Sequence, residues 1–217
     1  MNKFFRGPTA IVLPLAFLVI SYLLIYFVFS PVIDIAVSVF KMATTENELS
    51  EKVTDTFKGS NLLSGVVNAA DIDFPQFSQC FGSVQIESLG IDLPLIFGDS
   101  DALLKKGLCQ YQGSSFCGTG STVLIGGHNS TFLYNLKNIK VGDKIKITTN
   151  YGVYVYEVTE TAVKKNNDET AYNLNAENEN LVLYTCHYAS ENFGVSANRF
   201  FVYGCFFSGP VVKFSEG

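Results

Sequence analysis

Apolar residues fall into two regimes along the chain. The first is a charge-free run from Ala10 to Phe29, preceded by Lys3 and Arg6 and followed by Asp34 as the next charge. About 20 apolar residues is the length an α-helix needs to cross a ~30 Å hydrocarbon core. The two cations on its N-terminal side orient Met1 to the cytoplasm and the chain beyond about residue 33 to the outside. A cleaved signal peptide has a shorter apolar core, about 7–15 residues, and small residues at the cleavage site. Here the run is longer and closes in Phe29-Ser30-Pro31. Residues 1–33 are therefore expected to be a cytoplasmic tip and an uncleaved membrane helix touching lipid, with Pro14 near its start, where a kink is tolerated.

Residues 34–73 change character. Thr44 to Lys52 is polar, and Lys58-Gly59-Ser60-Asn61 reads as a break, so a partly helical extracellular stalk is expected. Beyond it, residues 74–217 shift to a period of two. Gly82–Ser88, Ile91–Ile96, Lys144–Thr148 and Gly152–Val158 alternate as half-buried strands do. Thr122–Ile125 and Leu181–Cys186 are short apolar strands, and Arg199–Phe207 supplies the last. Ser100–Lys106 and Thr131–Leu136 carry helical spacing between them. Many short strands with turn signals and few helices indicate an all-β sandwich or barrel.

Composition narrows the classes. Length 217 leaves room for one compact domain and an appendage. With 47% hydrophobic and 16% charged residues, the chain is not intrinsically disordered. Its net charge is -5 and its lysines form no basic block, which argues against nucleic acid as a partner. Five cysteines are too few for a disulfide scaffold, and the odd count leaves at least one thiol unpaired within the chain. Arg6 and Arg199 are the only arginines and His128 and His187 the only histidines.

Candidate chemistry gathers at strand ends. Alternation puts Val182, Tyr184 and Cys186 on one face and Leu181, Leu183 and Thr185 on the other. Arg199 opens the next strand after a loop of 12 residues. If those strands pair antiparallel, Cys186 and Arg199 meet at one end of the sheet. His128 also closes a strand, past Gly126-Gly127, a pair whose backbone bends freely. A thiol, an imidazole and a guanidinium so placed suit acyl transfer: the thiolate attacks a carbonyl, the imidazole handles protons, and the guanidinium stabilises the oxyanion.

These residues resemble the sortase family, the membrane-anchored transpeptidases of Gram-positive surfaces. Leu181-Val-Leu-Tyr-Thr-Cys186 is similar to the family's nucleophile strand and Arg199-Phe-Phe-Val to its arginine strand. Val123-Leu-Ile-Gly-Gly-His128, with Thr131-Phe-Leu, Leu136 and Val141-Gly142-Asp143, resembles its histidine segment; Ile91–Leu95 and Leu104–Gly107 resemble its early segment. The resemblance implies an eight-stranded β-barrel with short helices and cleavage of a Leu-Pro-x-Thr-Gly-like sorting signal in a secreted protein. It assigns Cys186 as nucleophile, His128 as general acid/base and Arg199 as oxyanion and substrate clamp. The threonine acyl group would pass through a thioacyl enzyme to an amine of a cell-wall precursor. Thr185 is a candidate for positioning the strand and the substrate groove floor.

Other features carry plainer readings. His187 adjoins Cys186, but neighbours on a strand point to opposite faces. Cys109 and Cys117 flank a short turn and could form a disulfide outside the membrane. The acidic loop Asp168–Glu179 stands where some sortases bind calcium; a solvated loop is favoured, and no cofactor is expected. Pilus-building sortases usually add a C-terminal membrane helix and an Asp-Pro-aromatic lid, whereas this chain stops at Gly217 and has Asp73-Phe74-Pro75, so wall anchoring is preferred to pilin polymerisation. A peptidoglycan L,D-transpeptidase would place an arginine where Tyr188 stands. The remaining alternative is an inactive membrane-anchored β-domain that binds a partner.

Overall fold

The computed structural model describes residues 12–26, 65–129, 131–187 and 197–214. The chain divides into two compact units, Met1–Ala43 and Thr44–Gly217. In the first, residues 12–26 form helix α1, whose apolar side chains are exposed. Among the described residues no helix is long and apolar enough to cross a membrane. The remainder of the apolar run and residues 34–64 of the expected stalk lie outside them.

In the second unit, alternating sequences become strands. They are β2 (Cys80–Ile86), β3 (Ile91–Phe97), β4 (Leu108–Gln110), β5 (Thr122–Gly127), β6 (Lys144–Thr149), β7 (Gly152–Lys165), β8 (Asn180–His187) and β9 (Asn198–Ser208). These eight close into a barrel in the order β2-β3-β4-β5-β8-β9-β7-β6. Closure leaves no barrel strand with an unpaired edge, which an open sheet would have to protect. Outside the barrel, β1 (Val66–Asn68) pairs in parallel with β10 (Val211–Lys213). Val66–Asn68 thus belongs to this unit's sheet structure, although the polar lead-in before it reads as stalk.

The core sits inside the barrel. Val84, Ile86, Leu95, Leu108, Ile125, Ile145, Ile147, Leu183 and Val202 have no meaningful exposure, and each such burial stabilises by about 1.5–3 kcal/mol. On β8 the inward set is Leu181, Leu183 and Thr185, all buried. Val182 is buried as well, because the β7–β8 loop lays Ala171 and Leu174 against an outer cluster with Leu124, Val182 and Phe201. Burial on both faces is why this strand reads as a continuous apolar run instead of alternating.

The helical spacing at Ser100–Lys106 becomes the one-turn helix α2 (Asp101–Leu104), which covers Ile96 and Cys109 with Leu103. Thr131–Leu136 does not form a helix. The amides of Phe132 and Leu133 both donate to the His128 carbonyl, at 3.2 and 3.0 Å, and fold the segment into turns before a 3-10 turn at Leu136–Asn138.

Candidate active site

Register, not sequence proximity, brings the candidate residues together. β8 and β9 are antiparallel with Cys186 opposite Arg199. Directly opposed residues project to the same face with Cβ atoms about 4.5–5.5 Å apart. On the other side of β8, β5 runs parallel with Gly127 opposite Thr185. His128 follows Gly127 and so reaches the level of Cys186. Next across, Lys164 of β7 stands opposite Arg199. His128, Cys186, Arg199 and Lys164 therefore occupy one level at one rim of the barrel, contributed by four neighbouring strands.

Cys186 and His128 are held from the residue before each. Thr185 is 3% exposed and its Oγ1 donates to the Gly127 carbonyl at 2.8 Å, tying β8 to β5 one residue before both Cys186 and His128. The two glycines of β5 give space to neighbours. A Cβ on Gly126 would lie 2.7 Å from Cζ of Tyr184, whose ring lies across β5. A Cβ on Gly127 would lie 2.4 Å from Leu108 Cδ2 and 2.9 Å from Leu133 Cδ1. The pair is thus a fit for close packing and not, as its composition suggests, a hinge.

Cys186 is half-buried, open enough to meet a carbonyl. Arg199 donates from Nη1 to the Asn198 carbonyl at 3.1 Å, which fixes one edge of the guanidinium. His128 has its pKa held below 6.5, mainly by burial, with Asp101 of α2 pulling upward and Lys105 downward. Burial therefore favours the neutral imidazole, the form that accepts a proton. His187 pairs with Asn198 through the backbone ladder; its side chain and residues 188–196 lie outside the described residues.

The other thiols are differently placed. Cys109 and Cys117 are unbonded and buried in separate neighbourhoods, so the bridge that their spacing allows is not formed. Cys109 faces outward from β4 against Ile96 and Leu103. Cys117 lies by Tyr156 and Glu179. Burial pushes both thiols up to about 12, with Asp99 adding to the rise at Cys109 and Glu179 at Cys117. Neither has the thiolate character that acyl transfer requires.

Two carboxylates of the acidic loop serve the fold. Glu179 accepts from the amides of Gly118 and Gly120 at 2.9 and 3.1 Å and from the Tyr156 hydroxyl at 2.6 Å. Asp168 accepts from the amide and hydroxyl of Thr170 at 2.9 and 2.6 Å. Among the described residues no group of three or more His, Cys, Asp or Glu side chains converges as a metal site.

Sequence reasoning passed over the outer face beside Cys186. Tyr184, Phe201 and Tyr203 form a belt there, with ring centroids 5.9 Å apart for Tyr184–Phe201 and 6.1 Å for Phe201–Tyr203. The signal was present: Phe201 and Tyr203 follow Arg199 at steps of two, and Tyr184 precedes Cys186 by two. This rim presents a thiol, an imidazole and a guanidinium, with an apolar aromatic floor leading up to them.

A family model for the sortase domain matches residues 84–205, a segment that includes all three candidate residues. Sortase D of Bacillus subtilis (strain 168) is 27% identical over 130 residues, 60% of this chain and 65% of that protein. Sortase A of Listeria monocytogenes is 30% identical over 115 residues, 51% of this chain and 50% of that protein. The chain thus spans one half to two thirds of these curated relatives. Among solved structures, a Clostridium perfringens sortase D5 transpeptidase superposes with a TM-score of 0.57 at 21% identity, covering 63% of this chain and 84% of that one. Sortase C1 of Streptococcus agalactiae superposes at 0.53 with 26% identity, covering 58% and 67%.

Proposed function

Because the chain belongs to the sortase family, a family of transpeptidases, we propose that it cleaves a Leu-Pro-x-Thr-Gly-like sorting signal and transfers the threonine acyl group to an amine of a cell-wall precursor. On this reading the apolar run in residues 1–33 anchors it in a Gram-positive membrane. Residues 34–64, ahead of β1, hold the barrel outside the cell.

Neutral His128 takes the thiol proton as Cys186 Sγ attacks the threonine carbonyl. Arg199 stabilises the oxyanion with a charge fixed in place before the reaction. The C–N bond then breaks, and the His128 imidazolium gives its proton to the departing amine. The thioester that remains is attacked by the acceptor amine, whose proton returns to His128. Collapse of that second intermediate forms the new amide and expels the sulfur, which regains a proton.

The observation that carries this reading is the register: Cys186 stands opposite Arg199, and Thr185 stands opposite Gly127, the residue before His128. The test uses the full chain in detergent micelles with a fluorogenic sorting-signal peptide. The wild type is expected to cleave the peptide and to be inactivated by a methanethiosulfonate. Cys186→Ala is expected to lose turnover while keeping its unfolding temperature. Unchanged cleavage by Cys186→Ala refutes the assignment, and an inert wild type leaves a binding domain.

A further inference from the structure

We propose that Tyr184 is a positioning residue for proton transfer at this rim: its ring, admitted by the bare backbone of Gly126, is a dry shelf that holds the His128 imidazole beside Cys186. The inference rests on the reading of Cys186 as nucleophile and His128 as its base.

The register builds the shelf. β5 and β8 run parallel, with Gly126 opposite Tyr184 and Gly127 opposite Thr185. One residue further, the same register sets His128 level with Cys186. Side chains alternate between faces along a strand. A Cβ on Gly127 would meet the buried Leu108 and Leu133, so Gly127 faces the interior and Gly126 the outside. His128 is on the outer side as well: the charges acting on it are Asp101 and Lys105, in and next to α2, which covers the outward Cys109. The His128–Cys186 pair therefore stands two residues, about 6.6 Å, above the Gly126–Tyr184 pair on one face.

The ring crosses from one strand to the other. From the place of a Gly126 Cβ, Tyr184 Cζ is 2.7 Å away, Oη 2.8 Å and Cε1 3.0 Å. Neighbouring strands are about 4.8 Å apart, so the ring spans the gap beneath thiol and imidazole. Phe201 braces it from β9, with ring centroids 5.9 Å apart. Burial pushes its hydroxyl up to about 12, with Asp99, Tyr172 and Cys109 adding and Arg199 opposing, so the phenol is uncharged at neutral pH.

Such a shelf does two things for His128. It blocks the space over Gly126, into which an imidazole at a strand end would otherwise turn away from Cys186. It also takes water from the lower side of the imidazole, and loss of water is the largest cause that keeps this group neutral. The charged and titratable groups around it are Asp101 and Lys105 on the α2 side, Cys186 on β8, Arg199 on β9 and Lys164 beyond it on β7. Asp99 and Cys109 act on the hydroxyl of Tyr184. Truncating the ring removes none of these charges, so a change in the titration of His128 reports the shelf itself.

The experiment follows His128 by NMR titration in the full chain in detergent micelles, its signal identified by its loss in His128→Asn, beside peptide cleavage. In Tyr184→Ala the His128 midpoint is expected to rise toward 6.5 as water returns. Its kcat should fall about 10- to 100-fold, the cost of a reacting group misplaced by up to about 1 Å. Tyr184→Phe, which keeps the ring, should match the wild type in both. Gly126→Ala should cost about ten-fold in kcat when Tyr184 is present and less than about two-fold in the Tyr184→Ala background, because its Cβ acts by displacing the ring. Should Tyr184→Ala fail to fold by circular dichroism, Tyr184→Leu takes its place in each comparison. An unchanged His128 midpoint, an equal cost of Gly126→Ala in both backgrounds, or a raised KM as the sole effect overturns the proposal. A wild type that cleaves no peptide refutes the nucleophile instead; the shelf is then decided by the titration alone.

Discussion

Replacing Thr185 by valine keeps the shape of the side chain and removes the hydroxyl that donates to Gly127 O at 2.8 Å. At 3% exposure, water cannot readily take the place of that donor. Leaving a buried carbonyl short of a partner costs about 1–3 kcal/mol. For a domain of this size each kcal/mol lowers the unfolding temperature by about 3 °C, so a fall of about 3–9 °C is expected in calorimetry. The effect on turnover should be larger than that loss suggests. The bond ties β5 to β8 one residue before His128 and one before Cys186, and misplacing a reacting group by about 1 Å costs on the order of 100-fold. Thr185→Val should therefore lower kcat by about 10- to 100-fold, with KM within about three-fold because the side chain faces the barrel interior. Thr185→Ser should recover both temperature and kcat. A destabilised valine variant with wild-type kcat would refute the positioning argument. A raised KM with kcat intact would return Thr185 to the substrate groove.

Three further outcomes follow from the same rim. Because burial holds His128 below 6.5, the acid limb of kcat/KM should have its midpoint below 6.5; a midpoint above that value refutes the burial argument, and a profile with no acid limb refutes the need for a neutral imidazole. Stability carries the same sign: the unfolded state takes the proton first, so the contribution of His128 is full above 6.5 and is lost as pH falls through its folded pKa. Arg199→Lys keeps the charge but not the planar fork, and should cost about 100-fold in kcat, while near wild-type turnover removes the oxyanion role.

Much of the barrel was legible because burial on one side imposes a period of two. Four barrel strands, β2, β3, β6 and β7, announce themselves in that way, and β5 and β8 do so as short apolar runs. β4 does not: Leu108–Gln110 is three residues long and buried throughout, too short for alternation to appear. β1 and β10, also of three residues, pair only with each other, and neither carries a signal for its partner. The helix expected at Thr131–Leu136 lost to a competing local bond, because the His128 carbonyl captures two successive amides. Spacing alone also left a bridge between Cys109 and Cys117 open. Strand direction sends Cys109 outward under α2, whereas Cys117 lies with Tyr156 and Glu179, and a count of intervening residues contains neither fact.

At the candidate site, the chain order shows which residue types stand at strand ends and does not show how they are brought together. The order His128, Cys186, Arg199 follows from sequence, but their shared level depends on β5 lying beside β8, which the order of elements in the chain does not reveal. Once that pairing exists, the faces of β8 divide the work by parity. Leu181, Leu183 and Thr185 point into the barrel and fix where the strand sits. Tyr184 and Cys186 point out, Tyr184 over Gly126 and Cys186 toward Arg199, and meet whatever the rim binds. A one-residue slip of β8 would exchange the two sets, burying the sulfur and exposing the leucines, at a cost in buried apolar area no active register could offset. The core that makes the strand immovable is thus also what aims the thiol, so the stability of this barrel and the placement of Cys186 rest on the same alternate residues.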